Sequence, residues 1–136
     1  MNKVEIVNLA GKEDKKIEKE LERVVLKTIA FLGKKNISVE VLLTDGRLMK
    51  FLNKKFRGKN KAADVLSFEE PKDFIFPKSK NKNIGEIYIN NAKSYNLKTK
   101  KFLLVHGLLH LFGYDHQKKN DIIKMEKIEN LCISQL

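Results

Sequence analysis

The residues best suited to chemistry are three histidines, the only ones in the chain, and they stand close together. They lie in Val105-His106-Gly107-Leu108-Leu109-His110-Leu111-Phe112-Gly113-Tyr114-Asp115-His116, spaced H-x3-H-x5-H. If 102–112 is a helix, His106 and His110 fall one turn apart on one face. Gly113 then ends the helix by going left-handed, and the turn it opens swings His116 back toward the same point. Three neutral imidazoles around one spot, with a fourth position open, make the ligand set of a catalytic zinc site. A lone histidine on a buried helix is more often a satisfied core residue. Three at this spacing favour a metal, one zinc ion per chain.

The same residues spell H-x-x-x-H-x-x-G-x-x-H, the zinc-ligand frame of the metzincin peptidases with one omission. Gly107 stands where those enzymes carry the glutamate that takes a proton from water. The ligand frame is therefore present without its usual base. Gly107 admits two explanations, a close approach of backbone or substrate and tight helix packing.

Charge narrows the partner. The net charge is +11, and of 28 cationic residues only Arg23, Arg47 and Arg57 are arginine. A basic chain points first to nucleic acid, although a lysine-rich surface can be mere solvation. Arg57 gains weight because planar, bidentate contact with phosphate is beyond lysine. Cys132 is the only cysteine, so no intrachain disulfide can form, which fits a reducing compartment. The N-terminus shows no apolar signal segment. The longest apolar run, 102–112, is too short for a bilayer. These features lead to the expectation of a cytoplasmic protein with no membrane partner.

The elements that must position these groups are legible from periodicity. A strand is expected over 4–9, then a helix over 15–32 capped by Asp14 and striped by Ile17, Leu21, Val24, Val25, Thr28 and Leu32. A strand over 38–44 leads to a helix over 46–56, capped by Asp45, with apolar positions Leu48, Phe51, Leu52 and Phe56. Its basic end carries Lys54, Lys55 and Arg57, which the helix dipole alone would favour. A short strand spans 64–68, and 69–83, with Pro71 and Pro77, reads as a long excursion. The strand over 85–89 puts Glu86 and Tyr88 on one face and Ile87 and Ile89 on the other. The Lys98–Lys101 run reads as solvated. The histidine helix, apolar nearly all round, should be the most buried, and a last helix over 122–133 carries Ile122, Met125, Ile128 and Cys132. The order β-α-β-α-β-β-α-α predicts an α+β fold, a mixed sheet with packed helices, in a single domain over 1–136.

At this point the sequence resembles a known family. Val105 to His116 looks like the signature of the YbeY endoribonucleases and rRNA maturation factors. Asn53-Lys-Lys-Phe-Arg57-Gly58, then Ala63-Asp64-Val65-Leu66-Ser67-Phe68, is similar to that family's N-x-x-(Y/F)-R and T-D-V-L-S-F elements. Gly85-Glu86-Ile87 is similar to its G-D-I strand. The likeness runs from about residue 40 to 116, and the N-terminal β-α unit fits by order. Ala63 replaces the usual threonine, Glu86 replaces the aspartate, and the stretch before His106 is short, so a helix there is truncated. The resemblance implies a zincin-like metal helix with His106, His110 and His116 as zinc ligands, and Arg57 as the positive residue of the substrate cleft. It further implies a zinc-dependent endoribonuclease specific for single strands, acting in 16S rRNA 3′-end maturation and ribosome quality control, with the small ribosomal subunit as partner.

In such a site Lys54, Lys55, Lys59 and Lys61 would hold flanking phosphates of single-stranded RNA. Phe56, Phe74 or Phe76 could stack on a base, although core packing is the commoner fate of an aromatic ring. Glu86, Asp64 and Asp115 are the acids near the motifs, and Asp115 could instead orient a ligand histidine. None stands out as the proton carrier, and a 2′-hydroxyl nucleophile is the alternative route. Two rivals stay open. One is a metzincin-like metallopeptidase, which Gly107 disfavours. The other is a non-catalytic zinc-containing ribosome-binding factor, which would need a fourth ligand such as Cys132.

Overall fold

Among the described residues, four strands and four helices follow one another in the order expected. They are β1 (Lys3–Asn8), α1 (Lys15–Phe31), β2 (Ile37–Thr44), α2 (Gly46–Arg57), β3 (Val65–Glu69), β4 (Lys82–Asn90), α3 (Leu97–Leu111) and α4 (Lys119–Ser134). The computed structural model describes residues 1–11, 14–70, 81–92, 95–114 and 119–136. Most of the 69–83 excursion, with Phe74 and Phe76, lies outside the described residues, as do Asp115 and His116.

The strands form one mixed sheet, ordered β1-β2-β4-β3. β1, β2 and β4 are parallel, and β3 runs antiparallel along β4, which leaves β3 at an edge. Side chains alternate across the sheet. Val39, Val41, Leu43, Ile87 and Ile89 face one way and pack with Leu21, Val24, Val25 and Ile29 of α1, Leu104, Val105, Leu108 and Leu109 of α3, and Met125 and Cys132 of α4. The opposite parity sets Leu42, Tyr88 and Leu66 side by side in register. That face meets α2, whose Met49 is fully buried, and Phe56 of α2 lies edge-on to Phe68 of β3 at 5.3 Å. The sheet is thus covered by α1 and α3 on one side and by α2 on the other.

Local signals set the helix ends. The Asp14 carboxylate accepts from the Lys16 and Ile17 amides and Asp45 from the Leu48 amide, as capping residues do. Asn96 caps α3 by accepting from Thr99 N. The histidine helix starts at Leu97, earlier than periodicity suggested, with its cap, Asn96, six positions after the end of β4. Two sequence expectations fail. The buried stripe of α2 is Met49 and Asn53, while Phe51 and Phe56 are 58% and 53% exposed. Asn53 is buried because its amide donates to the Lys61 carbonyl at 2.9 Å and staples the following loop. The Lys98–Lys101 run is not wholly solvated either. Lys100 is buried between elements, which pulls its pKa down, and Lys101 pairs with Glu20 at 2.9 Å. Among the described residues no helix is long and apolar enough to cross a membrane.

Candidate active site

A cleft of about 700 Å³ runs along the free edge of β3. One wall is the C-terminal half of α3, with His106, Gly107, His110 and Leu111. The floor is Val65 to Glu69, and Arg57 projects from the end of α2. The two chemical halves thus come from helices on opposite faces of the sheet and meet around its edge.

The histidine wall is set first by helical spacing. His106 and His110 turn their Nε2 atoms toward one another, 3.1 Å apart. Two imidazole nitrogens each ~2.0–2.1 Å from a tetrahedral zinc would stand roughly 3.3 Å apart, so the pair fits a shared metal. A second group fixes the tautomer. Glu129 of α4, itself buried, holds His106 Nδ1 at 2.7 Å through Oε1. With Nδ1–H donating to that carboxylate, Nε2 keeps its lone pair for a metal. The sequence offers Asp115 as one candidate for such an orienting role, and Asp115 lies outside the described residues; no motif points to Glu129. The signal was a carboxylate on the buried stripe of α4, between Met125 and Cys132.

His116 lies outside the described residues. Among those described, no group of three or more His, Cys, Asp or Glu side chains converges to hold a metal, so the histidine pair is the part of the set whose geometry is defined. Cys132 is fully buried in the core among apolar side chains, where burial pushes its thiol pKa up. It does not line the cleft.

Gly107 faces the sheet. An added Cβ would come within 2.9 Å of Ser67 Oγ, 3.1 Å of Ile87 Cγ2 and 3.2 Å of Val65 Cγ2. The Ser67 hydroxyl donates to the Gly107 carbonyl at 2.9 Å. Tight packing of α3 on β3 and β4 therefore explains the glycine, and a glutamate there has no room.

Arg57 is held by two contacts. Its Nη2 donates to the Ser67 carbonyl at 2.9 Å, and its guanidinium carbon lies 5.4 Å from the centre of the Phe68 ring. Asp64 O accepts from Asn90 N, so by alternation the Val65, Ser67 and Glu69 carbonyls point away from β4. Arg57 thus occupies an outward carbonyl of an edge strand. Gly85, opposite on β4, has a φ of +135°, and a Cβ there would lie 2.1 Å from the Phe68 carbonyl, so the β3–β4 approach requires glycine.

The predicted lysines divide. Lys59 and Lys61, with Arg57, line a second groove of about 540 Å³ that adjoins the cleft. Lys54 and Lys55 line neither. Lys55 lies over the exposed rings of Phe51 and Phe56, at 5.8 and 5.5 Å. The acids also separate. Glu86 accepts from Tyr88 OH at 2.8 Å on the α2 side of the sheet. Burial, with that bond, pushes the Tyr88 phenol up to about 12. Asp64 is held by the Tyr95 hydroxyl and borders the second groove. The acidic side chain lining the cleft, among the described residues, is Glu69. It sits at the end of β3 outside any motif, and the sequence reading passed it over.

The sequence profile described as Endoribonuclease YbeY matches residues 5–136, which extends the likeness into the N-terminal β-α unit. The chain is 37% identical over 136 residues to endoribonuclease YbeY of Thermodesulfovibrio yellowstonii, covering 88% of this chain and 76% of the relative. It is 42% identical over 114 residues to that of Pelagibacter ubique, covering 77% and 72%. The solution structure of TM1509 from Thermotoga maritima shares the fold, with a TM-score of 0.62, 24% identity and coverage of 97% of this chain and 87% of that one. With a histidine helix, an edge-strand cleft and an N-terminal unit all inside the matched region, the chain belongs to the endoribonuclease YbeY family.

Proposed function

We propose that the chain, acting as one domain over 1–136, is a zinc-dependent endoribonuclease that cuts single-stranded RNA in the cytoplasm. The 3′ end of 16S rRNA on the small ribosomal subunit is its target, in rRNA maturation and ribosome quality control. The observation that carries the reading is the pairing, across one cleft, of two imidazole Nε2 atoms 3.1 Å apart with a fixed guanidinium.

His106, His110 and His116 would hold the ion. Bound zinc supplies Lewis acidity toward a phosphoryl oxygen and lowers the pKa of water toward neutrality. Glu129 keeps His106 in the tautomer that leaves Nε2 free of a proton. Arg57 faces the negative charge that gathers on the phosphoryl oxygens in the transition state. The Ser67 carbonyl and the Phe68 ring hold its guanidinium before substrate arrives, so little reorganisation is left for the reaction. Lys59 and Lys61 take phosphates of the strand leaving the cleft. Glu69, which lines the same cleft, is the carboxylate that would accept or return a proton.

A peptidase reading is weaker on two counts. Gly107 has no room for the glutamate base, and Arg57 already takes a β3 carbonyl that an added peptide strand would need. A closed structural zinc site finds no support from Cys132, which is in the core.

The test is metal content joined to RNA cleavage. Purified protein should carry about one zinc per chain, and His110→Ala should lose it. Wild type should cut a single-stranded 16S 3′-end substrate, alone or on small subunits, and Arg57→Ala should not, with circular dichroism unchanged. Full zinc occupancy in His110→Ala sinks the site. Cleavage of casein but not RNA by nuclease-free protein sinks the activity.

A further inference from the structure

The outer face of α2 is built unlike a solvated helix face. It exposes two large aromatic rings, Phe51 and Phe56, with Lys55 Nζ between them at 5.8 and 5.5 Å from the ring centres. α2 carries Arg47, Lys50, Lys54, Lys55 and Arg57 and no acidic residue. The helix dipole accounts for cations in the last turn, but it disfavours Arg47 in the first. The dipole therefore does not account for the whole of the basic face. The face is also continuous with the cleft. Phe56 lies edge-on to Phe68, and Phe68 carries the Arg57 guanidinium on its ring.

We propose that this face is a stacking platform for single-stranded RNA, on which bases flanking the bond at Arg57 lie against Phe56 and Phe51 while Lys54 and Lys55 hold the phosphates between them. The proposal rests on the RNA reading above and names the part of the substrate it leaves open. Exposed rings interleaved with cations suit unpaired nucleic acid, because every base offers a π face and every linkage a charge. Phe51 stands six positions before Arg57, roughly 9 Å along the helix axis, a short reach for an extended strand. A partner protein could use apolar rings too, but it would meet Arg47, Lys50, Lys54 and Lys55 with no acidic residue of α2 among them. The charge balance selects a polyanion.

The experiment compares single-stranded oligoribonucleotides of about two and about ten nucleotides, the shorter unable to reach from Arg57 to Phe51, by fluorescence anisotropy with a gel showing that the RNA stays intact. The variants are Phe51→Leu, Phe51→Ala and Phe51→Tyr. Phe51 is mostly exposed, so the fold is kept, and leucine preserves apolar area while removing the ring. The longer RNA should bind wild type and Phe51→Tyr alike and bind Phe51→Leu and Phe51→Ala on the order of tenfold more weakly. The shorter RNA should not distinguish the four proteins. Lys55→Ala should lower the salt slope of binding by about 0.7. If Phe51→Leu binds the longer RNA like wild type, or if length adds nothing, the platform is refuted while the cleft assignment stands. If Phe51→Leu keeps RNA affinity and turns a wild-type dimer into a monomer, the face belongs to a second copy and the platform is likewise refuted. If wild type binds neither RNA, the RNA reading fails and the platform with it.

Discussion

Replacing Gly107 with alanine tests whether the cleft wall is fixed by packing. In an unconstrained helix interior this change stabilises by about 0.8–1.0 kcal/mol. Here the new methyl would lie 2.9 Å from Ser67 Oγ and 3.1 and 3.2 Å from the branched methyls of Ile87 and Val65. Overpacking of that kind costs about 1–3 kcal/mol. If the serine hydroxyl turns away to make room, its bond to the Gly107 carbonyl is lost, a further ~1 kcal/mol. The net expectation is a loss of about 1–3 kcal/mol. At a size between small and medium domains this lowers Tm by about 4 °C per kcal/mol. Thermal and urea melts would measure it. In a Ser67→Ala background the closest contact is gone, and the same substitution should cost about 1 kcal/mol less. A Gly107→Ala protein as stable as wild type, or more stable, would refute the argument that α3 is seated on β3 and β4 without spare volume.

Glu129→Gln lets an amide face His106 Nδ1 and weakens the preference for the metal-binding tautomer. Zinc affinity should fall about 10–100-fold by chelator competition, and unchanged affinity would remove Glu129 from the site. Arg57→Lys keeps the charge but loses the planar seat on Phe68, so kcat/KM for RNA should drop on the order of tenfold or more. A lysine enzyme as fast as wild type would mean that charge alone matters. The Glu20 carboxyl is held well below its ordinary 4.5, at about 2, by its bonds to Arg23 and Lys101. A depressed folded-state pKa contributes stability above pH 4.5 that is lost as the pH falls toward 2. Across that window Glu20→Gln should lose less of its Tm than wild type, and parallel acid profiles would count against the pairing.

Most of the architecture was legible because it depends on local patterns. Asp14 and Asp45 announce helices, and alternating strands separate buried isoleucines from Glu86 and Tyr88. The histidine helix was recognisable because the spacing of His106 and His110 is a helical repeat. Features that depend on tertiary neighbours were not. Phe51 and Phe56 looked like core positions because apolar residues usually are, yet α2 turns Met49 and Asn53 inward, and Asn53 is buried for the loop it staples. Glu129 belongs to no motif, and its partner, His106, lies on another helix, so nothing local marks it. The packing reason for Gly107 appears only when α3 is laid on the sheet. Glu69 becomes notable only once β3 is known to line a cleft.

Ser67 reaches both walls at once, its carbonyl holding Arg57 and its hydroxyl holding the backbone of the histidine helix. The gap between cation and imidazoles is therefore gauged from one residue, as if both jaws of a calliper were mounted on the same pin. A shift of β3 at that position would move both jaws together and leave their opening nearly constant. Because the jaw that seats Arg57 is a backbone carbonyl, a change of side chain at Ser67 loosens only the jaw on the histidine helix, and the opening of the jaws should otherwise drift less than the strand that carries them.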